Sequence, residues 1–244
     1  LLANHETGVI QPIEQLASIC NAAGVPLHTD AVQAAGKIAV DFHALGAAAL
    51  SLSAHKFQGP PGVGALILRG DVRIKPLMFG GHHQAGLRPG TEPVALAVGM
   101  AAALELWHKE RDRHARRMEA MRDRFEERLK HELPGVIFHG AAAERLPQTC
   151  CAAFPGIDGE TLLIALDLAG VACSIGAACS SGAAEISPTL RAMNLPKQIV
   201  ASSIRFSLGA TNTEAEIDEA VRRIAEACRR ISDSRPAPGV FTGG

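Results

Sequence analysis

Hydrophobic and polar positions along this chain follow a helical period in some stretches and form short, almost continuously apolar runs in others. The helical spacing after Pro12 ends at Gly24, which fits proline at the start of a helix and glycine just after its end. Three apolar runs follow, and their continuity is typical of strands that are covered on both faces. They occupy residues 25–29, 47–53 and 63–69. This alternation predicts an α/β unit.

A long helical pattern leads from this unit into a second one. It runs from about Val94 to His131, apolar at first and then rich in alternating acids and bases, so we predict that its second half is a solvated face. We place the domain boundary inside this helix, near residue 112. Residues 1–112 then form the first domain and residues 113–231 the second.

The second domain mixes strands and helices in an α+β order. Its predicted strands are 136–140, 149–156, 171–175 and 203–209. Asp158 is a predicted cap for one helix, and a capping box of Thr213 and Glu216 begins another. The tail 232–244 has little to bury, so we predict that it is disordered.

Composition narrows the class of protein. The chain has 244 residues, of which 47% are hydrophobic and 20% charged, and its formal net charge of −1 gives no sign of nucleic-acid or anionic-membrane binding. No apolar run reaches the roughly 18 residues of a membrane span. The six cysteines form no CxxC pair, which favours a reducing cytoplasm over a secreted disulfide framework. Because the chain starts at Leu1 inside an apolar stretch, we expect the natural N-terminus to lie upstream.

The stretch SLSAHKFQGPPGVGALIL places one lysine, Lys56, between two apolar runs, although burying an unpaired ammonium is costly. A neutral lysine amine aimed at a carbonyl forms a Schiff base, which is how pyridoxal phosphate is attached to enzymes. Such a site also needs an acid for the pyridine nitrogen. Asp30 directly follows a predicted strand, and Gln33 is close enough to reach a ring substituent. Ser53 and His55 offer donors for a phosphate. On this local pattern alone, a surface lysine beside a capping aspartate remains an alternative.

Four motifs together resemble the NifS/IscS-type cysteine desulfurases. They are HTDAVQAAGK, SLSAHKFQGPPGVGAL, LRPGTE and SSIRFSLG, and the resemblance runs from about Ala3 to Ile231. These enzymes have the aspartate-aminotransferase-like fold and use pyridoxal 5'-phosphate. The resemblance implies that residues 1–112 are the C-terminal part of a large, mostly parallel-sheet domain that binds the cofactor. Residues 113–231 would then be the small α+β domain.

The resemblance also implies roles for single residues. Lys56 would carry the Schiff base and move protons, with His55 beside it, and Asp30, Gln33 and Ser53 would bind the cofactor as described above. Further roles fall on Thr91, His5 and Arg205. Thr91 would reach the phosphate of a partner subunit, which implies a homodimer.

His5 stands where the family has an asparagine that is thought to touch the ring oxygen. Its imidazole can donate there, but the tuning of the ring would differ. Arg205 would clamp the substrate carboxylate with its planar guanidinium, and a structural ion pair is the alternative. We interpret His82 and His83 as loop residues, since no acid or cysteine cluster near them suggests a metal site.

Cys179, in the segment GAACSSG, supplies the predicted nucleophile. A desulfurase needs a thiolate that attacks the sulfur of its substrate, and the small neighbours of Cys179 would let this segment move. The remaining cysteines of this half stand in apolar patterns typical of a core. They are Cys150, Cys151, Cys173 and Cys228.

We therefore predict a cysteine desulfurase that converts L-cysteine to L-alanine, leaves the sulfur on Cys179 as a persulfide and passes it to an acceptor protein of iron–sulfur assembly or thiolation pathways. A selenocysteine lyase and an inactive sulfur-carrier-binding module are the alternatives. The family carries further residues upstream, including a histidine that stacks on the ring and a glycine/threonine turn for the phosphate. We expect the chain without them to be poorly soluble or free of cofactor.

Overall fold

The computed structural model describes residues 1–176 and 187–234. The chain divides into two compact units. The first contains Leu1–Asn4 and Ile10–Ala115, and the second contains His5–Val9 and the chain from Arg116 onward. The domain boundary near residue 112 stays a prediction.

A three-stranded sheet organises the first unit. Its strands β1 (His28–Asp30), β2 (Ala49–Ser53) and β3 (Gly64–Leu68) lie in that order. β1 runs parallel to β2, and β3 runs antiparallel to it. The helices α1 (Ile13–Ala22) and α2 (Phe42–Leu45) belong to the same unit. The parallel pair matters for the site, because it brings the carboxyl ends of β1 and β2 to one edge of the sheet.

Two sequence predictions about these strands are wrong. The first strand does not begin at Val25, because the Val25 amide bonds to the Cys20 carbonyl behind α1 at 2.9 Å. Asp30 is consequently the last residue of β1 and not the residue after it. The strands are also not covered on both faces by the described residues. β3 is an edge strand, and Leu66 and Ile67, whose side chains point to opposite faces, are 51% and 38% exposed.

The long helix α3 (Val94–Glu132) confirms the helical pattern that predicted it. Its second half is not simply a solvated face. Met118, Met121, Phe125 and Leu129 are buried at helical spacing, so one side of the helix packs into a core while the charged residues take the other side.

The second unit is built on a four-stranded antiparallel sheet in the order β4-β5-β7-β6. The strands are β4 (Ile137–Phe138), β5 (Thr149–Ala153), β6 (Ser174–Ile175) and β7 (Ser203–Ser207). Its helices are α4 (Gly159–Leu168), α5 (Pro188–Ala192), α6 (Lys197–Ala201) and α7 (Glu214–Asp233). α4 and α7 bury apolar side chains in the same core as α3, among them Leu162, Leu166, Val221 and Ile224.

Both predicted helix caps are confirmed. The Asp158 carboxylate accepts the Thr161 amide at 2.9 Å, and Thr213 and Glu216 exchange both bonds of a capping box. α7 continues to Asp233, so the predicted tail begins as helix, and residues 235–244 of that tail lie outside the described residues. In the described part of the chain, no helix is long and apolar enough to cross a membrane.

Candidate cofactor and substrate sites

Lys56 stands on a 3₁₀ turn, Ala54–Phe57, that directly follows β2. Ala54 and Phe57 are buried in an apolar cluster with Ala35, whereas His55 and Lys56 are exposed. The two buried side chains fix the backbone of the turn, so His55 and Lys56 project from the carboxyl end of the strand. This is the end at which α/β sheets bind their ligands.

Asp30 ends the neighbouring parallel strand, opposite Ser51 of β2. Its Oδ1 accepts the Val32 amide at 2.8 Å, which orients the carboxylate at the strand end. Among the described residues, no hydrogen bond reaches its second oxygen. Gln33 lies half-buried three residues further on. Asp30, Gln33 and the Lys56 turn therefore all lie at or just after the carboxyl ends of the parallel pair.

A hydrogen-bonded pair that can donate to an anion lies beside the lysine. The Ser53 hydroxyl and His55 Nδ1 are 2.9 Å apart, and Ser53 is the last residue of β2. If the hydroxyl donates to Nδ1, the ring carries its proton on Nε2 and presents it to solvent. The pair can thus serve a phosphate group at the edge of the sheet.

These residues fit pyridoxal phosphate. The cofactor needs an amine for its aldehyde, an acid for its ring nitrogen and donors for its phosphate. The first unit provides the exposed Lys56, a carboxylate at Asp30 with one oxygen not engaged by the described residues, and the Ser53–His55 pair. Thr91, the predicted contact to a partner subunit, is exposed in the same unit, shortly before α3.

Lys37 is a residue of this neighbourhood that sequence reasoning missed. Its Nζ donates a hydrogen bond of 2.6 Å to the backbone carbonyl of Lys56. Burial, and then the charge of Lys56, lower the pKa of Lys37 to about 8. Lys37 ends the motif HTDAVQAAGK, but nothing in that motif shows that its side chain meets a residue 19 positions away.

The second unit holds the predicted carboxylate-binding arginine. Arg205, on β7, donates from Nη1 to the His5 carbonyl at 3.0 Å and from Nη2 to the Ser174 hydroxyl at 2.9 Å. Its Nε is buried and has no hydrogen-bond partner among the described residues. No carboxylate among those residues forms an ion pair with Arg205, so nothing there favours the structural alternative. The guanidinium is held in place and keeps donors for a further anion.

His5 makes two contacts that were not predicted. Its backbone carbonyl holds Arg205, and its ring Nε2 lies 3.9 Å from the buried Glu6 carboxylate. A contact of the His5 side chain with a cofactor ring stays a prediction. The sequence candidates thus fall into two groups, Asp30, Gln33, Ser53, His55, Lys56 and Thr91 in the first unit and His5 and Arg205 in the second.

Cys179, the predicted nucleophile, lies outside the described residues, which stop at residue 176 and resume at 187. The described cysteines nearby are poor nucleophiles. Cys150, Cys151 and Cys228 are buried, as predicted, and Cys173 is half-buried. Burial raises the pKa of Cys173 to about 11 and the pKa values of Cys151 and Cys228 to about 12. They stay protonated at neutral pH, where a thiol attacks poorly.

Residues 2–220 match the aminotransferase class-V family. The chain belongs to this family. A cysteine desulfurase of Gluconacetobacter diazotrophicus is 44% identical over 216 residues, which are 88% of this chain and 54% of that relative. A NifS-like protein of Rickettsia africae superposes with a TM-score of 0.84 at 30% identity, over 95% of this chain and 60% of its own. SspA, solved in complex with cysteine, superposes with a TM-score of 0.69 at 27% identity, over 87% of this chain and 58% of its own.

These comparisons confirm the resemblance to cysteine desulfurases and the aspartate-aminotransferase-like fold. They also confirm that the family's cofactor is pyridoxal phosphate. The chain spans between 54% and 60% of the length of these relatives. The activity, substrate and partners of a whole protein are for this reason taken up below as proposals.

Proposed function

We propose that this class-V family member is the part of a pyridoxal-phosphate-dependent cysteine desulfurase that carries its catalytic residues. The enzyme converts L-cysteine to L-alanine. One observation carries the proposal. An exposed lysine, Lys56, stands on a turn anchored by buried neighbours at the carboxyl end of β2, beside a parallel strand that ends in Asp30. The desulfurase activity named for the relatives supports the choice of reaction.

The reaction balances without an external oxidant. A thiolate of the enzyme attacks the sulfur of the bound substrate cysteine, and a sulfur–sulfur bond forms as the carbon–sulfur bond breaks. The bonding electron pair stays on the β-carbon of the substrate, which takes up a proton and becomes the methyl group of alanine. We assign the attacking thiolate to Cys179, since burial keeps the thiols of Cys150, Cys151 and Cys228 protonated.

Bound pyridoxal phosphate would supply the electron sink that weakens bonds at the α-carbon of the substrate. Lys56 would hold the cofactor covalently and carry protons to and from the substrate. Asp30 would hold the proton on the ring nitrogen, and Gln33 and His5 would donate to the ring oxygen. Ser53 and His55 would bind the phosphate.

Arg205 would bind the substrate carboxylate. Its two terminal nitrogens are already held by the His5 carbonyl and the Ser174 hydroxyl. The Arg205 side chain therefore loses little conformational entropy when its guanidinium binds an anion. The cysteine complex of SspA supports cysteine itself as the substrate. We prefer L-cysteine to selenocysteine for this reason, and the rates with the two substrates would separate the activities.

The partners belong to the same proposal. We propose a homodimer in which Thr91 reaches the phosphate of the partner subunit, and transfer of the sulfur to an acceptor protein of iron–sulfur assembly or thiolation. A cytoplasmic location suits this chemistry, and the described cysteines are unpaired, as in a reducing compartment.

The test is covalent capture of the cofactor. The natural protein that carries this chain is incubated with pyridoxal phosphate, reduced with borohydride and digested, and the modified peptide is identified by mass spectrometry. We expect a yellow protein that bleaches on reduction and carries the label on Lys56. A protein that binds an acceptor but captures no cofactor would favour the sulfur-carrier-binding module instead.

A further inference from the structure

Lys37 is a partly buried cation of the first unit that the cofactor chemistry proposed above does not use. Lys37 donates its side-chain hydrogen bond into the turn that carries Lys56, at 2.6 Å from Nζ to the Lys56 carbonyl oxygen. Among the described residues, Lys37 has no ion pair with a carboxylate. Two lysines close together repel each other, and burial disfavours the charge of Lys37 further. A lysine placed here is costly and needs an explanation.

The backbone around Lys37 packs closely against the same turn. Gly36 has a φ of +74°, and a Cβ built on it would lie 2.1 Å from the Phe57 Cβ. The Lys37 amide bonds to the Ala34 carbonyl at 3.0 Å, which closes a turn of its own. The Lys37 side chain therefore reaches the Lys56 carbonyl from a backbone that is held in place, with Phe57 packed beside it.

The hydrogen bond from Lys37 holds the peptide group of Lys56 itself. The carbonyl of Lys56 belongs to the residue whose amine would capture the cofactor. Ala54 and Phe57 fix both ends of the turn by burial, but the Lys56 side chain between them is exposed. A donor on its carbonyl restricts the rotation of the peptide and so the direction of the side chain.

We propose that Lys37 is a positioning residue that fixes the peptide of Lys56 and aims its amine at the aldehyde of pyridoxal phosphate. The proposal rests on the function proposed above, because it takes Lys56 as the point of attachment. Lys37 itself touches neither the cofactor nor the substrate in this assignment. Its effect passes through the backbone of Lys56.

Three variants separate this role from a general loss of charge. Lys37→Met removes the donor, Lys37→Arg keeps a donor of similar reach, and Lys75→Met removes a charge from an exposed lysine of the same unit. Amide hydrogen exchange of the peptide 54–59 in cofactor-free protein reports the turn, and exchange of α1 reports the rest of the unit. The rate of borohydride-trapped labelling of Lys56 by pyridoxal phosphate reports how well its amine is oriented toward the aldehyde.

We expect Lys37→Met to raise exchange in residues 54–59 about tenfold, with α1 unchanged, and to slow labelling of Lys56 by a similar factor. Lys37→Arg should restore both values, and Lys75→Met should match the wild type. A general structural role would not be rescued by arginine. If Lys37→Met also loosens α1, the comparison is repeated with Lys37→Leu, which likewise lacks a donor.

The two proposals fail in different ways. Wild-type protein that is not labelled on Lys56 overturns the proposed function, and the exchange measurement then decides the role of Lys37 alone. Unchanged exchange of residues 54–59 in Lys37→Met overturns the positioning role. Labelling of Lys56 at the wild-type rate in Lys37→Met overturns it as well, and leaves the proposed function standing.

Discussion

At the scale of single residues, Lys56 should matter for capture of the cofactor and not for the stability of the fold. Its side chain is exposed, so Lys56→Ala should change the free energy of unfolding by no more than about 0.5 kcal/mol. The same variant should lose covalent capture of pyridoxal phosphate, because the nearby Lys37 amine is engaged with the backbone of the turn. Denaturant unfolding and mass spectrometry after borohydride reduction measure the two effects, with Lys75→Ala as control. A labelled peptide recovered from Lys56→Ala would contradict the assignment.

Cys179 and Cys173 make a second matched pair. In the natural protein, Cys179→Ser should still capture the cofactor but form no persulfide and release little alanine, because serine does not accept sulfur. Cys173→Ser should keep its activity, since burial holds the pKa of the Cys173 thiol near 11 and the group stays protonated. The measurement is a mass gain of about 32 Da, one sulfur atom, on a cysteine peptide after substrate is added. Finding that gain on Cys173 would reverse the two roles.

Some of these residues could be predicted because their chemistry shows in the local sequence. Asp30 and Lys56 each stand next to an apolar run, and a charged residue at the end of a buried strand indicates a ligand site. Lys37 and Ser174 could not be predicted. Their partners, the Lys56 carbonyl and the Arg205 guanidinium, are brought to them only by folding.

At the scale of elements, the turn at Gly36 couples two stretches of the first unit. Gly36→Ala meets both the left-handed φ of +74° and a Cβ contact of 2.1 Å with Phe57, so it should cost about 2–4 kcal/mol. Gly24 has a similar φ of +68° but no atom within 4 Å of its Cβ position. Gly24→Ala should therefore cost only about 1 kcal/mol.

Denaturant unfolding of the two glycine variants checks this difference. Equal losses of stability in both would mean that Phe57 moves aside, and that the turn carrying Lys56 is not held by this contact. Gly36→Ala should also slow labelling of Lys56, whereas Gly24→Ala should not, because it lies behind α1.

The elements themselves were predictable where the local signal is strong. The capping box of α7 and the length of α3 follow from residues a few positions apart. The buried side of α3 was missed because charged residues surround Met118, Met121 and Phe125, and their helical spacing is easily hidden by the charges. The exposure of β3 was missed because a continuous apolar run does not reveal which strands border it.

At the scale of the whole molecule, Lys37 and the buried thiols give stability an unusual dependence on pH. The pKa of Lys37 is about 8 in the folded chain and 10.5 as an ordinary lysine. Between these values the unfolded chain binds more protons, so the free energy of unfolding rises with pH. The thiols of Cys173, Cys151 and Cys228 act in the opposite sense, because their folded pKa values of about 11 to 12 lie above 9.0. Their contribution is lost as pH rises above 9.0.

The two effects oppose each other just below the pKa of an ordinary thiol. From about pH 8 to about pH 9, titration of Lys37 should add about 1 kcal/mol to the free energy of unfolding, while ionisation of the three thiols in the unfolded state should remove about the same amount, so the wild-type chain should stay nearly level. Lys37→Met lacks the rising contribution, so its free energy of unfolding should fall by about 1 kcal/mol over the same interval. Denaturant unfolding at several pH values measures both chains, with Lys75→Met expected to follow the wild type. Parallel pH profiles for wild type and Lys37→Met would mean that Lys37 is not desolvated, and that its contact with the Lys56 carbonyl does not persist in solution.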